Sequence, residues 1–171
     1  MTSTAAASAA EFIEEMGIMT QADDLPRIAG RIMGLLVLEE DPVSFADIAE
    51  RLKVSRASVS TNARLLVETG ILERVAMPGD RQDYYRLNPA WNLRLLRRVV
   101  TRIERMKLAV QAASAALPDD RSAARARLDG LCEFYGAVSR SLEALAGAAE
   151  GAGMTGAPGS KTHGKMDVGH A

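Results

Sequence analysis

Apolar residues recur at three- and four-residue spacing along most of this chain, and that rhythm is broken by one short alternating stretch. Phe12, Ile13 and Met16, with Glu11, Glu14 and Glu15 on the other side, predict a short amphipathic helix from about Ala9 to Met19. Asp23 and Asp24 mark the next helix start, with Pro26 in its first turn. Ile28, Ile32, Leu35, Leu36 and Leu38 make that helix apolar on more than one side, so it is expected at the centre of the fold. Gly30 and Gly34, four apart, would let a neighbouring backbone come close. Arg27 and Arg31 on the same helix are open to two roles, phosphate contact or pairing across an interface.

After the break at Asp41-Pro42, Ser44 has the position of an N-cap, with Asp47 reaching back in a weaker form of the capping box. Phe45, Ile48, Ala49 and Leu52 then share one face. Ser55 caps a second helix whose buried side is Val59, Ala63 and Leu66, and Gly70 ends it. The strand Ile71 to Met77 follows, then Pro78-Gly79-Asp80-Arg81 as a turn. The returning strand Tyr84 to Leu87 puts Tyr85 and Leu87 on one side and Tyr84 and Arg86 on the other. Helix, tight turn, helix and β-hairpin together read as a winged helix-turn-helix.

The outward face of the second helix carries Arg56, Ala57, Ser60, Thr61 and Arg64, with Ser58 and Asn62 at its borders and Ser55 at its start. No carboxylate occurs before Glu68. A helix meant only for solvent would mix both signs, whereas hydroxyls, an amide and guanidinium forks suit base edges and phosphates in a major groove. Arg81 at the hairpin tip can reach a phosphate or the adjacent minor groove, with Asp80 positioned to orient it by an ion pair. The candidate DNA-contacting set is therefore Ser55, Arg56, Ser58, Ser60, Thr61, Asn62, Arg64 and Arg81.

The hairpin sequence Gly79-Asp80-Arg81-Gln82-Asp83-Tyr84-Tyr85 resembles the wing of the multiple-antibiotic-resistance-regulator (MarR) family. Leu25-Pro26-Arg27-Ile28-Ala29-Gly30-Arg31-Ile32-Met33-Gly34 resembles its branch typified by glycine-betaine-synthesis repressors (GbsR-like). The similarity spans about Phe12 to Trp91, roughly half of the chain. It implies a homodimeric one-component transcription regulator, a repressor, on a near-palindromic operator of double-stranded DNA. It also implies a small-molecule effector of unknown identity, held between the DNA-binding lobe and the dimer helices. A quaternary ammonium would want an aromatic cage, for which Tyr84, Tyr85, Trp91, Phe134 and Tyr135 are candidates that all have core readings as well.

Beyond the hairpin, Asn88 and Pro89 open a long helix from about Ala90 to Leu117, with Val99, Ile103, Met106, Val110, Ala113 and Leu117 in a coiled-coil rhythm. Its many arginines read as a solvated face, with secondary phosphate contacts near the helix start as the alternative. Pro118-Asp119-Asp120 separates a second long helix, about Asp120 to Ala149, whose seam is Leu128, Leu131, Tyr135, Val138, Leu142 and Leu145. The two seams are expected to face each other in an antiparallel pair. The fold class is mainly α with a small β-hairpin wing, a winged helix-turn-helix plus a long C-terminal helical dimerisation hairpin. The expected divisions are a disordered lead over 1–8, the winged domain with its N-terminal helices over 9–89, the dimerisation region over 90–149, and a disordered tail over 150–171.

Composition sharpens this outline. Hydrophobic residues make up 47% but aromatics only 4%, so the core must be aliphatic. A formal net charge of −1 argues against nucleic-acid binding, yet its distribution argues for it. Residues 51–107 hold 13 basic and 5 acidic side chains, against 2 and 10 in residues 1–50, so the basic block coincides with the proposed DNA face. A lone cysteine, Cys132, excludes an internal disulfide and a cysteine-cluster metal site, and it reads as a small buried hydrophobe. The N-terminus lacks the pattern of a secretory signal and no apolar run is long enough to span a membrane, so a cytoplasmic protein with no membrane partner is expected. Without a histidine before His163, a phosphate-cradling glycine loop or a nucleophile with a base, the chain is not expected to be an enzyme or to hold a cofactor. His163, Asp167 and His170 sit in a glycine-rich setting that argues against a metal site. The alternative function, a winged-helix protein-interaction module without DNA binding, would be favoured by carboxylates on the second helix, and none lie between Ser55 and Val67.

Overall fold

The computed structural model describes residues 2–151. Its elements run α1 (Thr2–Gln21), α2 (Arg27–Val37), β1 (Val43–Ser44), α3 (Phe45–Leu52), α4 (Arg56–Glu68), β2 (Leu72–Ala76), β3 (Asp83–Leu87), α5 (Trp91–Ala115) and α6 (Ser122–Gly151). Helix α1 starts at Thr2, so it takes in most of the segment expected to be a disordered lead, as suits a run rich in alanine, the strongest helix former. The expected tail past Gly151, with His163, Asp167 and His170, lies outside the described residues.

Helix α2 is the axis of the core, as its pattern predicts. Ile32 and Met33 are fully buried and Leu35 nearly so, packed with Ile48, Leu52, Val59, Ala63, Leu66, Ile71, Leu72 and Tyr85. The close approach expected at its glycines occurs against α1. A Cβ on Gly30 would lie 2.5 Å from the Met16 carbonyl oxygen, and one on Gly34 would lie 3.1 Å from the Ile13 Cα. Arg31, whose role the sequence leaves open, is spent inside the chain. It reaches Glu14 at 2.7 Å and donates to the Leu52 carbonyl at 2.9 Å, tying α1 and α2 to the end of α3.

The helix starts follow the capping logic. Ser44 Oγ accepts from the Asp47 N–H at 3.1 Å, but the Asp47 carboxylate accepts the Ser44 hydroxyl at 2.7 Å rather than reaching the Ser44 backbone. Aspartate is one methylene shorter than the glutamate of a full capping box, and Ser44 is itself part of a strand. That strand, β1, is absent from the sequence reading because two residues carry no periodicity. It completes a three-stranded antiparallel sheet in the order β1-β3-β2, with Val43 opposite Tyr85 and Arg74 opposite Tyr85 on the other side. Gly70 (φ 72°) closes α4 in a Schellman motif: its N–H donates to the Val67 carbonyl, the Ile71 N–H donates to the Leu66 carbonyl, and Ile71 and Leu66 are both fully buried.

Helices α5 and α6 form the expected hairpin, but not through the expected seams. The residues that α6 buries are Gly136, Ser139 and Ala146, a line of small side chains. Leu128, Tyr135, Val138 and Leu142 are only half-buried, and Leu131 and Leu145 are 38% and 57% exposed. The partner stripe on α5 is likewise half-buried, with Met106 41% exposed. At about 100° per residue both stripes turn away from the α5–α6 contact to the same side of the hairpin, where they leave one long uncovered apolar face.

Three α5 arginines clamp the turn between α1 and α2. Arg98 donates to the Asp23 carbonyl at 2.9 Å, Arg102 pairs with the Asp23 carboxylate at 2.7 Å and also donates to the Ala22 carbonyl, and Arg105 pairs with Asp24 at 2.5 Å. The arginines expected to form a solvated face thus fasten the hairpin to the winged lobe. No described helix is long and apolar enough to cross a membrane.

Candidate nucleic-acid interface

Helix α4 begins at Ser55, whose Oγ accepts from the Ser58 N–H at 3.1 Å and lies 2.9 Å from the Ser58 hydroxyl. Those two hydroxyls are therefore engaged in capping, with Ser55 exposed and Ser58 half-buried. Arg56, Ala57, Ser60, Thr61 and Arg64 lie exposed along one side of the helix, and no acidic residue occupies its first turn. The guanidinium of Arg56 rests over the Phe45 ring, 5.5 Å from its centroid, which limits where that charge can point. Sequence reasoning missed this use of Phe45, since the two residues lie in different helices. Arg64 is 72% exposed and approaches Glu68 only to 3.9 Å, a contact too loose to hold it.

Asn62 departs from this arrangement. Only 7% of its surface is accessible, and its Nδ2 donates to the Ser58 carbonyl at 2.8 Å. The residue belongs to the inner side of α4 rather than to its exposed side, so as placed here it is not available for the base contact expected of it.

The wing is built around Asp80. Met77 to Asp80 form a turn closed by the Asp80 N–H donating to the Met77 carbonyl, with Pro78 second and Gly79 (φ 83°) third, the pattern of a type II turn. The Asp80 carboxylate then accepts from the Gln82 N–H at 2.9 Å and from the Tyr84 hydroxyl at 2.8 Å. These bonds, the Gln82 N–H foremost, hold its carboxyl below the usual range, and the same contact raises the Tyr84 phenol. Asp80 is therefore not the ion-pair partner expected for Arg81; it shapes the loop that presents Arg81, whose exposed guanidinium has no partner among the described residues. The other wing arginines are occupied, Arg86 by Glu73 at 2.9 Å and Arg74 by Asp83 at 3.4 Å.

Of the proposed aromatic cage, Tyr84 belongs to the wing, Tyr85 to the core, and Phe134 and Tyr135 pack on each other with centroids 5.7 Å apart on α6. The structure does not bring the five together. A cleft of about 560 Å³ lies instead among Asp23, Asp24, Thr69, Arg94, Arg98 and Arg105, between the winged lobe and α5.

A short α3, a tight left-handed turn at Lys53, an exposed α4 and a hairpin paired through β1 define a winged helix-turn-helix. Residues 23–83 match the model of the MarR family. The chain is 44% identical over 80 residues to the HTH-type transcriptional regulator MmpR5 of Mycobacterium tuberculosis, covering 46% of this chain and 48% of that protein. Similarity to the putative HTH-type transcriptional regulator YvaV of Bacillus subtilis is 27% over 74 residues, 43% of this chain and 42% of that one. The chain thus spans about half the length of the curated relatives it matches. A crystal structure described as a transcriptional regulator superposes with a TM-score of 0.64 at 28% identity, covering 84% of this chain and 99% of the other.

Proposed function

We infer that this protein is a sequence-specific DNA-binding transcriptional regulator that works as a homodimer and represses by occupying a near-palindromic operator. The observation that carries the reading is the exposed side of α4, where Arg56, Ser60 and Thr61 have no carboxylate partner among the described residues and Arg64 has only a loose one, together with a wing that leaves Arg81 unpaired among them. Such a surface attracts phosphate and can read base edges. Its resemblance at Leu25–Gly34 favours the GbsR-like branch.

Support for the dimer comes from the uncovered apolar face of α5 and α6. A face carrying Met106, Leu131 and Leu145 is costly to leave in water, and two copies pairing through it would set two recognition helices about one DNA turn, roughly 34 Å, apart. An effector would act by favouring one spacing over another, and the cleft between the lobe and α5 is the place where binding could do so.

Titrating promoter DNA at several salt concentrations tests the reading. Arg64→Ala should reduce discrimination between operator variants by about 1–3 kcal/mol, whereas Arg81→Ala should weaken all sequences alike and lower the salt slope by about 1. Affinity that ignored both sequence and salt, or a protein monomeric by sedimentation, would sink the proposal.

A further inference from the structure

Arg56, the first residue of α4, is held differently from most arginines of the winged lobe. Arg27, Arg31, Arg51, Arg64, Arg74 and Arg86 each have a carboxylate oxygen within 3.9 Å. Arg56 has no carboxylate and no hydrogen-bond partner among the described residues, and its guanidinium lies instead over the Phe45 ring. Asp47, the acidic residue in the first turn of the same helix as Phe45, is taken up by the Ser44 hydroxyl at 2.7 Å. The two kinds of partner have opposite consequences for a nucleic-acid contact. A carboxylate fixes a guanidinium but offsets its charge and occupies its N–H donors, whereas a ring face fixes it through the quadrupole and leaves the charge and the donors available.

The ring itself is anchored. Phe45 is the first residue of α3, directly after Ser44, which caps that helix and pairs with Tyr84 of the wing strand β3. Its half-buried side chain packs against the core of the lobe. The ring therefore cannot follow a moving arginine; the arginine is held relative to the ring. Through Ser44 and Tyr84 the same ring is tied to the hairpin that presents Arg81, which also has no partner among the described residues.

We propose that Phe45 is a positioning residue for DNA recognition, its ring holding the Arg56 guanidinium at the N-terminal end of α4 in the pose that contacts a base edge. This rests on the DNA-binding reading above and adds to it a residue that acts through another. A long side chain free in solvent loses its rotamer freedom on binding, and one already laid over a ring has less to lose. The benefit is greatest for a bidentate grip on guanine O6 and N7, which demands planar alignment, whereas a phosphate accepts from many directions.

A double-mutant cycle tests the proposal, with the full chain titrated against the duplex that the wild type enriches most from a randomised pool. Phe45→Leu should weaken binding about fivefold, Phe45→Tyr should bind like the wild type, and Phe45→Leu should cost nothing further once Arg56→Ala is in place. An equal loss from Phe45→Leu with and without Arg56, or no loss at all, would overturn the positioning role. A wild type that enriches no sequence would instead defeat the DNA reading and this inference with it. A measurement on free wild-type protein guards against a variant that does not fold: ring-current shifts should move the Arg56 side-chain protons upfield of those of Arg81. Coincident resonances for the two arginines would dismiss the ring contact.

Discussion

Lys53 holds a left-handed conformation (φ 53°, ψ 45°) at the end of α3, with its N–H donating to the Ala49 and Glu50 carbonyls. A side chain there costs about 1 kcal/mol that glycine would not, so Lys53→Gly should raise unfolding stability by somewhat less than that in denaturant titrations. Asn62 teaches the complementary lesson. It lies three residues after Val59 and four before Leu66, squarely within the buried rhythm, so its inward position was legible in the sequence. Its amide suggested a groove contact instead, but a donor that can reach the carbonyl four residues back is satisfied without leaving the core. Asp80 was harder to read. Its partners Gln82 and Tyr84 meet it only once the turn has formed, and nothing in their spacing says that the neighbouring Arg81 will be passed over.

Among whole elements, the crossing of α1 over α2 was the most legible, because two glycines four apart on an apolar helix have few other uses. Gly30→Ala would gain helix propensity of about 1 kcal/mol but drive a methyl group into the Met16 carbonyl, and we expect a net loss of about 1–3 kcal/mol in thermal or denaturant unfolding. The hairpin was legible as two long helices but misread in its packing. Periodicity locates an apolar stripe and says nothing of what covers it. The apolar spacing predicts the leucines as the seam between α5 and α6, whereas α6 buries Gly136, Ser139 and Ala146 and leaves Leu131 and Leu145 exposed. Strand β1 escaped because its two residues acquire meaning only from Tyr84 and Tyr85 forty residues later.

For the molecule as a whole, the joint between lobe and hairpin combines apolar packing of Trp91 and Leu95 on the core with ion pairs from α5 to the 22–24 turn. The hydrogen bond and charge of Arg105 hold the Asp24 carboxyl below its ordinary value of 3.8, with Arg98 and Arg102 adding to the field. A carboxyl depressed by folding contributes stability that is fully present above its unfolded value and is lost as pH falls through the folded one. Acid titration of wild-type protein should therefore show stability falling below about pH 3.8, and Asp24→Asn should remove that part of the slope while lowering stability at neutral pH. Unchanged acid profiles in the variant would dismiss the clamp as a source of stability. The sequence hinted at the basic half of this joint through the arginines of α5, but the acidic half sits seventy to eighty residues earlier, in what read as a helix start.

A joint whose charges are half-buried at Asp23 and Arg102 and exposed at Asp24 and Arg105 has a stiffness that dissolved ions can tune in part. Under the proposed function, raising ionic strength would thin the attraction of protein for duplex and, at the same moment, slacken the fastening that would aim the two recognition helices. Plots of log affinity against log salt for wild-type protein should then fall more steeply than the number of phosphates touched would dictate, and a variant with a covalent cross-link from the 22–24 turn to α5 should return the slope to that number.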